Sequence, residues 1–141
     1  MRFVLDCSVT MSWCFADESD YYSDVVLDQL SKTEALVPSI WPLEVVNVLL
    51  VAERRKRINK AQAMRLVELL QSLPVAIDVS TAERATGSIH LLAREHKLSS
   101  YDAAYLELAM REGLPLATRD DQLARVAKRC GVEILERGAR A

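Results

Sequence analysis

Short apolar runs separated by stretches of helical periodicity constrain this chain more than any other feature. Phe3-Val4-Leu5, Ala35-Leu36-Val37 ahead of Pro38, residues 75–79, Leu116-Ala117 and residues 132–135 read as short strands. Between them, residues 8–15, 21–30, 40–57, 59–73, 81–96, 100–112 and 121–129 carry apolar side chains at helical spacing. Continuous apolar runs this short suit strands covered on both faces. Strands alternating with helices imply a mainly parallel sheet between helical layers, a three-layer α/β/α fold of the α/β class. Local chemistry sets several boundaries. Asp20 is placed to cap the helix after it, Pro74 stops the helix before it, and Gly113 with Pro115 closes residues 100–112.

The 141 residues suffice for one ordinary domain with a sizeable core. No linker or repeat divides them, so residues 1–136 read as the domain and 137–141 as a loose tail. A net charge of −2 announces no nucleic-acid binder. Contact with RNA or DNA would have to come from local basic patches or from metal ions that offset an acidic site. Three cysteines, with no CxxC pair, indicate neither a disulfide framework nor a zinc ribbon. They read as free thiols of a reducing cytoplasm. Residues 40–52 form the most apolar stretch, too short to span a bilayer and interrupted by Glu44 and Asn47. With no signal-peptide pattern at the start, a soluble cytoplasmic protein is expected.

The acids are the informative residues. Asp6 directly follows an apolar strand, and ligands of open parallel sheets bind beyond the carboxyl ends of strands. Asp120 lies just past Leu116-Ala117, with Thr118 beside it, and can reach the same edge. Glu44 stands in a helix so apolar that burial on most sides is expected, and Asn47, three residues on, shares its face. A glutamate there needs something that makes its charge tolerable. Asp102 opens the helix at 100–112. Glu107, about 140° further round, faces elsewhere and reads as a solvated surface acid. Converging carboxylates raise one another's pKa, and a divalent cation removes that conflict. An all-oxygen ligand set suits Mg²⁺ or Mn²⁺ rather than zinc. Phosphodiester hydrolysis by a metal-activated water is the chemistry such a site performs most naturally.

Each acid also has a structural explanation. Asp102 follows Ser99 by three residues, a capping-box spacing, and for it alone capping is the better reading. Asp121 follows Thr118 in the same way and reads as part of a cap. Asp6 could cap the helix after it. Glu44 has the weakest alternative, being too far into its helix to cap it. The set of acids, and no single member, favours a site. Arg54-Arg55-Lys56-Arg57 reads as a solvated basic helix end, with RNA contact a lesser reading. His90 and His96 lack metal-ligand spacing. Trp13, Trp41 and Tyr105 read as core.

On these residues the sequence resembles the PIN-domain family and, within it, the VapC-type toxins of prokaryotic toxin–antitoxin pairs. Val4-Leu-Asp6-Cys-Ser8-Val with Trp13 is similar to the family's opening strand and first acid. Pro42-Leu-Glu44-Val-Val-Asn47 is similar to its second, Leu98-Ser-Ser-Tyr-Asp102-Ala-Ala-Tyr to its third, and Thr118-Arg-Asp120-Asp-Gln-Leu123 to its fourth. The resemblance implies Mg²⁺- or Mn²⁺-dependent endoribonuclease activity, homodimerisation, and a cognate VapB-type antitoxin whose tail covers the acidic cleft. It carries the metal-binding positions onto Asp6, Glu44, Asp102 and Asp120. Ser8, Asn47, Thr118 and Asp121 become the groups around them that orient carboxylates or water. Two rival readings stand beside it. One is phosphoryl transfer with Asp6 as covalent nucleophile, although Ser8 occupies the position where such sites usually place a second acid. The other is an idle interaction module whose acidic cleft binds a basic partner.

Overall fold

The computed structural model describes residues 1–135. The expected tail at 137–141 therefore lies outside the described residues.

Four strands form one parallel sheet: β1 (Phe3–Leu5), β2 (Ala35–Pro38), β3 (Val75–Asp78) and β4 (Leu116–Ala117), in the order β3-β2-β1-β4. The helices are α1 (Cys7–Cys14), α2 (Tyr21–Gln29), α3 (Trp41–Arg54), α4 (Lys60–Ser72), α5 (Thr81–Arg84), α6 (His90–His96), α7 (Ser100–Glu112) and α8 (Asp121–Arg129). They flank the sheet in the three-layer α/β arrangement that the alternation of runs implies. Each residue of β1 and β4 is buried, as strands covered on both faces require.

The strand order positions the site. From β1 the chain moves outward to β2 and β3, then returns to place β4 on the other side of β1. That reversal makes the carboxyl ends of β1 and β4 the topological switch point of the sheet, where a crevice opens. Asp6 is the first residue after β1, and Thr118 is the first after β4.

The core is continuous across the sheet, and α7 lies deepest. Its residues from Ala103 to Ala109 are all buried, and Tyr105, Leu106 and Leu108 have no exposed surface. Its ends follow local rules: the Ser99 side chain accepts from the Asp102 N–H, and Gly113 ends the helix with φ +65°.

Several expectations need correction. Residues 132–135 do not form a strand; a single bridge joins Ile134 to Leu116, because β4 is only two residues long. The helix expected over 81–96 is broken. A kink within Ala85–Ile89 separates α5 from α6, where Gly87 lies outside helical geometry at φ −118°, ψ −105°. Helix α3 is not buried on most sides. Trp41, Val45, Leu49 and Ala52 face the core, whereas Leu43, Val46 and Leu50 are exposed, Leu43 by 68%. An outer-layer helix has only one face to give to the core. Arg57 is not a freely solvated helix end either. It lies beyond α3, pairs with Asp17 and Glu18, and stacks over Phe15 at 4.3 Å.

Candidate active site

Asp6 is the anchor of the site. It occupies the position before α1 but makes no side-chain cap there. Its Oδ2 instead accepts hydrogen bonds from Ser8 Oγ and Thr118 Oγ1, each at 2.7 Å. Ser8 Oγ in turn accepts from the Arg119 N–H at 2.9 Å, and Thr118 Oγ1 from the Asp120 N–H at 3.0 Å. A hydroxyl has one proton, and backbone donors occupy an acceptor position on each, so both protons point at Asp6. The loop after β4 thus fixes the hydroxyls, and the hydroxyls fix the carboxylate. Asp6 is only 5% exposed. Burial pushes its pKa up and the charge of Asp120 adds to that, against the two hydroxyl hydrogen bonds.

The other acids arrive from three helices. Glu44 sits in the first turn of α3 and is half-buried. Its Oε1 accepts from the Tyr105 hydroxyl at 2.5 Å. Burial raises its pKa, as do the charges of Asp6 and Asp102, while Tyr105 opposes them. Asp102 lies in the first turn of α7, and burial, with the charges of Asp6 and Asp120, pushes its pKa up to about 6. Asp120 caps α8 by accepting from the Leu123 N–H at 2.9 Å. None of these four forms an ion pair among the described residues. Arg119, which precedes Asp120 in sequence, is engaged with Asp20 at 3.1 Å. A groove of about 810 Å³ opens beside Thr118, Arg119 and Asp120.

This donor set fits a hard divalent cation. It is all oxygen, it is anionic without a cationic partner among the described residues, and neighbouring carboxylates help to raise the pKa of Asp6, Glu44 and Asp102. Among the described residues no three His, Cys, Asp or Glu side chains stand close enough to hold an ion between them. The carboxylates are coupled through space without forming a closed cage. Magnesium suits such an arrangement, since it keeps several waters and takes only one or two carboxylates directly.

The structure sorts the sequence candidates. Asp6 and Asp102 each feel the charge of Asp120, Glu44 feels those of Asp6 and Asp102, and Ser8 and Thr118 hold Asp6. Asn47 is exposed and makes no hydrogen bond to Glu44; Tyr105 makes it instead. The sequence carried a signal for this, because Tyr105 follows Asp102 by three residues and shares its helix face. Asp121 is exposed at the first position of α8, and the cap comes from Asp120, not Thr118, whose hydroxyl is committed to Asp6. Glu107 is no surface acid. It is 7% exposed and bonds Arg111, at 3.0 Å to Nε, and Arg84. Facing away from Asp102 on the deepest helix means facing the interior. Cys7, next to Asp6, stays a thiol, because burial and then the charges of Glu44 and Asp6 push its pKa up.

Four acids at the switch point of a parallel sheet narrow the choice of family. The family model described as the PIN domain matches residues 3–129, a span that contains all four. The chain belongs to the PIN-domain family. Ribonuclease VapC3 of Pyrobaculum aerophilum is 28% identical over 124 residues, covering 88% of this chain and 93% of the relative. The crystal structure of PAE2754 from the same organism superposes with a TM-score of 0.65 at 24% identity, covering 89% of this chain and 84% of that one. That of FitAcB from Neisseria gonorrhoeae gives 0.65 at 18% identity, covering 97% and 98%. At these identities the two structures establish the shared PIN-type fold.

Proposed function

We propose that this PIN domain is a divalent-metal-dependent endoribonuclease that hydrolyses RNA phosphodiesters with an activated water, acting as the toxin of a toxin–antitoxin pair. The observation that carries the reading is the buried Asp6 carboxylate, held by Ser8 and Thr118 and electrostatically coupled to three further acids, none of which has a cationic partner among the described residues. The similarity to a relative named a ribonuclease supports the substrate class.

Asp6, Glu44, Asp102 and Asp120 would hold Mg²⁺ or Mn²⁺, one or two of them directly and the others through the waters the ion keeps. When bound, the ion supplies positive charge for the scissile phosphate and activates water for in-line attack. The chain's own work is to orient and to keep charge in place. Ser8 and Thr118 fix Asp6, and the α8 cap fixes Asp120. With Oδ2 taken by two hydroxyls and little of the residue exposed, Asp6 is poorly disposed to act as a covalent nucleophile. Homodimerisation and neutralisation by a VapB-type antitoxin belong to the same proposal. The exposed Leu43, Val46 and Leu50 of α3 offer apolar surface of the kind interfaces bury.

The test is cleavage of defined RNAs by purified protein with Mn²⁺ and with a chelator. Activity should require the metal, and Asp6→Asn should lower it roughly 100-fold or more while circular dichroism stays native. Full activity of Asp6→Asn, or cleavage in the chelator, overturns the proposal. Absence of cleavage across several RNAs would favour the idle module.

A further inference from the structure

We infer that Tyr105 is a positioning residue of this site, a role that rests on the metal-dependent reading above. Tyr105 has no exposed surface, yet its hydroxyl lies 2.5 Å from Glu44 Oε1, across 61 residues of sequence. A buried phenol needs a hydrogen-bond partner, and here the partner is a carboxylate of the site. The phenol proton can only be donated to Oε1, because an ionised carboxylate only accepts. Glu44 Oε2 receives no hydrogen bond from the described side chains. The pair therefore holds the carboxylate by one oxygen and leaves the other for the cation.

The placement on α7 gives the contact a further consequence. Asp102 and Tyr105 are three residues apart on one helix face. The same face thus presents one acid directly and grips a second, carried by α3, through a hydroxyl. Helices α3 and α7 lie on separate parts of the chain, and this contact sets the Glu44 carboxylate relative to Asp102. Asn47 does not make it, being exposed.

Tyr105→Phe removes the hydroxyl and keeps the ring. Mn²⁺ affinity of the full chain, measured by calorimetry without RNA, should weaken about 10- to 100-fold. Thermal unfolding in chelator should change little. In a Glu44→Ala background the same substitution should add nothing further, since the acceptor of its hydrogen bond is gone. A purely structural role predicts the opposite pattern, a lowered melting temperature with unchanged Mn²⁺ affinity, and that result overturns the inference. The wild-type protein supplies a second readout that needs no variant at this position. Mn²⁺ should perturb the tyrosine ultraviolet difference spectrum, and Glu44→Gln should abolish the perturbation. Mn²⁺ binding that leaves the tyrosine spectrum unmoved counts against the role of Tyr105. If the wild-type chain binds no Mn²⁺ at all, the nuclease reading falls and this inference with it.

Discussion

At the scale of single residues, the site consists of charges held where they are unfavourable. Asp102 makes the point measurable. Its folded pKa of about 6 lies above the ordinary 3.8, because of burial and the charges of Asp6 and Asp120. Between those values the native chain holds a proton that the unfolded chain has released. Stability therefore falls as pH rises through that window and levels off above it. In chelator, Asp102→Asn should match the wild type at about pH 4 and exceed it by about 1 kcal/mol at about pH 7, after allowance for solvent screening. Urea unfolding at both pH values checks this; a gain equal at both would remove ionisation as the cause. Glu107, by contrast, has cationic partners, Arg111 and Arg84. Glu107→Ala takes one partner from the half-buried Arg111, which keeps Asp78 and Glu112, and from Arg84, and should cost about 1 kcal/mol, read from the urea midpoint.

At the scale of elements, α7 is the organiser. It contributes Asp102, Tyr105 and Glu107, and its faces touch the site, α3 and the ion network of β3, where Arg111 meets Asp78 at 3.0 Å. Its length depends on clean ends. Gly113 sits at φ +65° with open space where a Cβ would point, so an alanine there meets backbone strain and no clash. Gly113→Ala should lower stability by about 1 kcal/mol in thermal unfolding and leave RNA cleavage per folded molecule unchanged. Loss of cleavage would mean that the end of α7 is coupled to Asp102 at its start. The elements themselves were largely legible. Residues 100–112 and 121–129 coincide with α7 and α8, because cap residues, glycine and apolar spacing agree there. The break at Gly87 was not legible, because the apolar spacing continues across it.

At the scale of the whole molecule, the sheet gathers residues that lie far apart in sequence. Asp6 and Thr118 are 112 residues apart and hydrogen-bonded, because β1 and β4 are adjacent and parallel. An ion bound to the gathered acids would bind the folded chain and not the unfolded one. Mn²⁺ at about ten times its dissociation constant should then raise unfolding free energy by about 1.4 kcal/mol, and Asp6→Asn should abolish the increase. A melting temperature indifferent to Mn²⁺ would speak against the metal site. Three of the candidate acids carry a local anomaly in the sequence, two at strand ends and one in an apolar helix, whereas Asp102 is singled out only by the family resemblance, a helix cap explaining it equally well.

Local order and the identity of the acids follow from short-range rules, namely apolar periodicity, capping and the high cost of a carboxylate among apolar neighbours. Those rules act over a few residues and leave their record in the sequence. Tertiary structure alone decided who partners whom. It chose Tyr105 over Asn47 for Glu44, Asp120 over Thr118 for the α8 cap, and Arg111 with Arg84 over solvent for Glu107. Each choice depends on which face of a helix meets another element, and helical periodicity identifies a face without saying what lies opposite it.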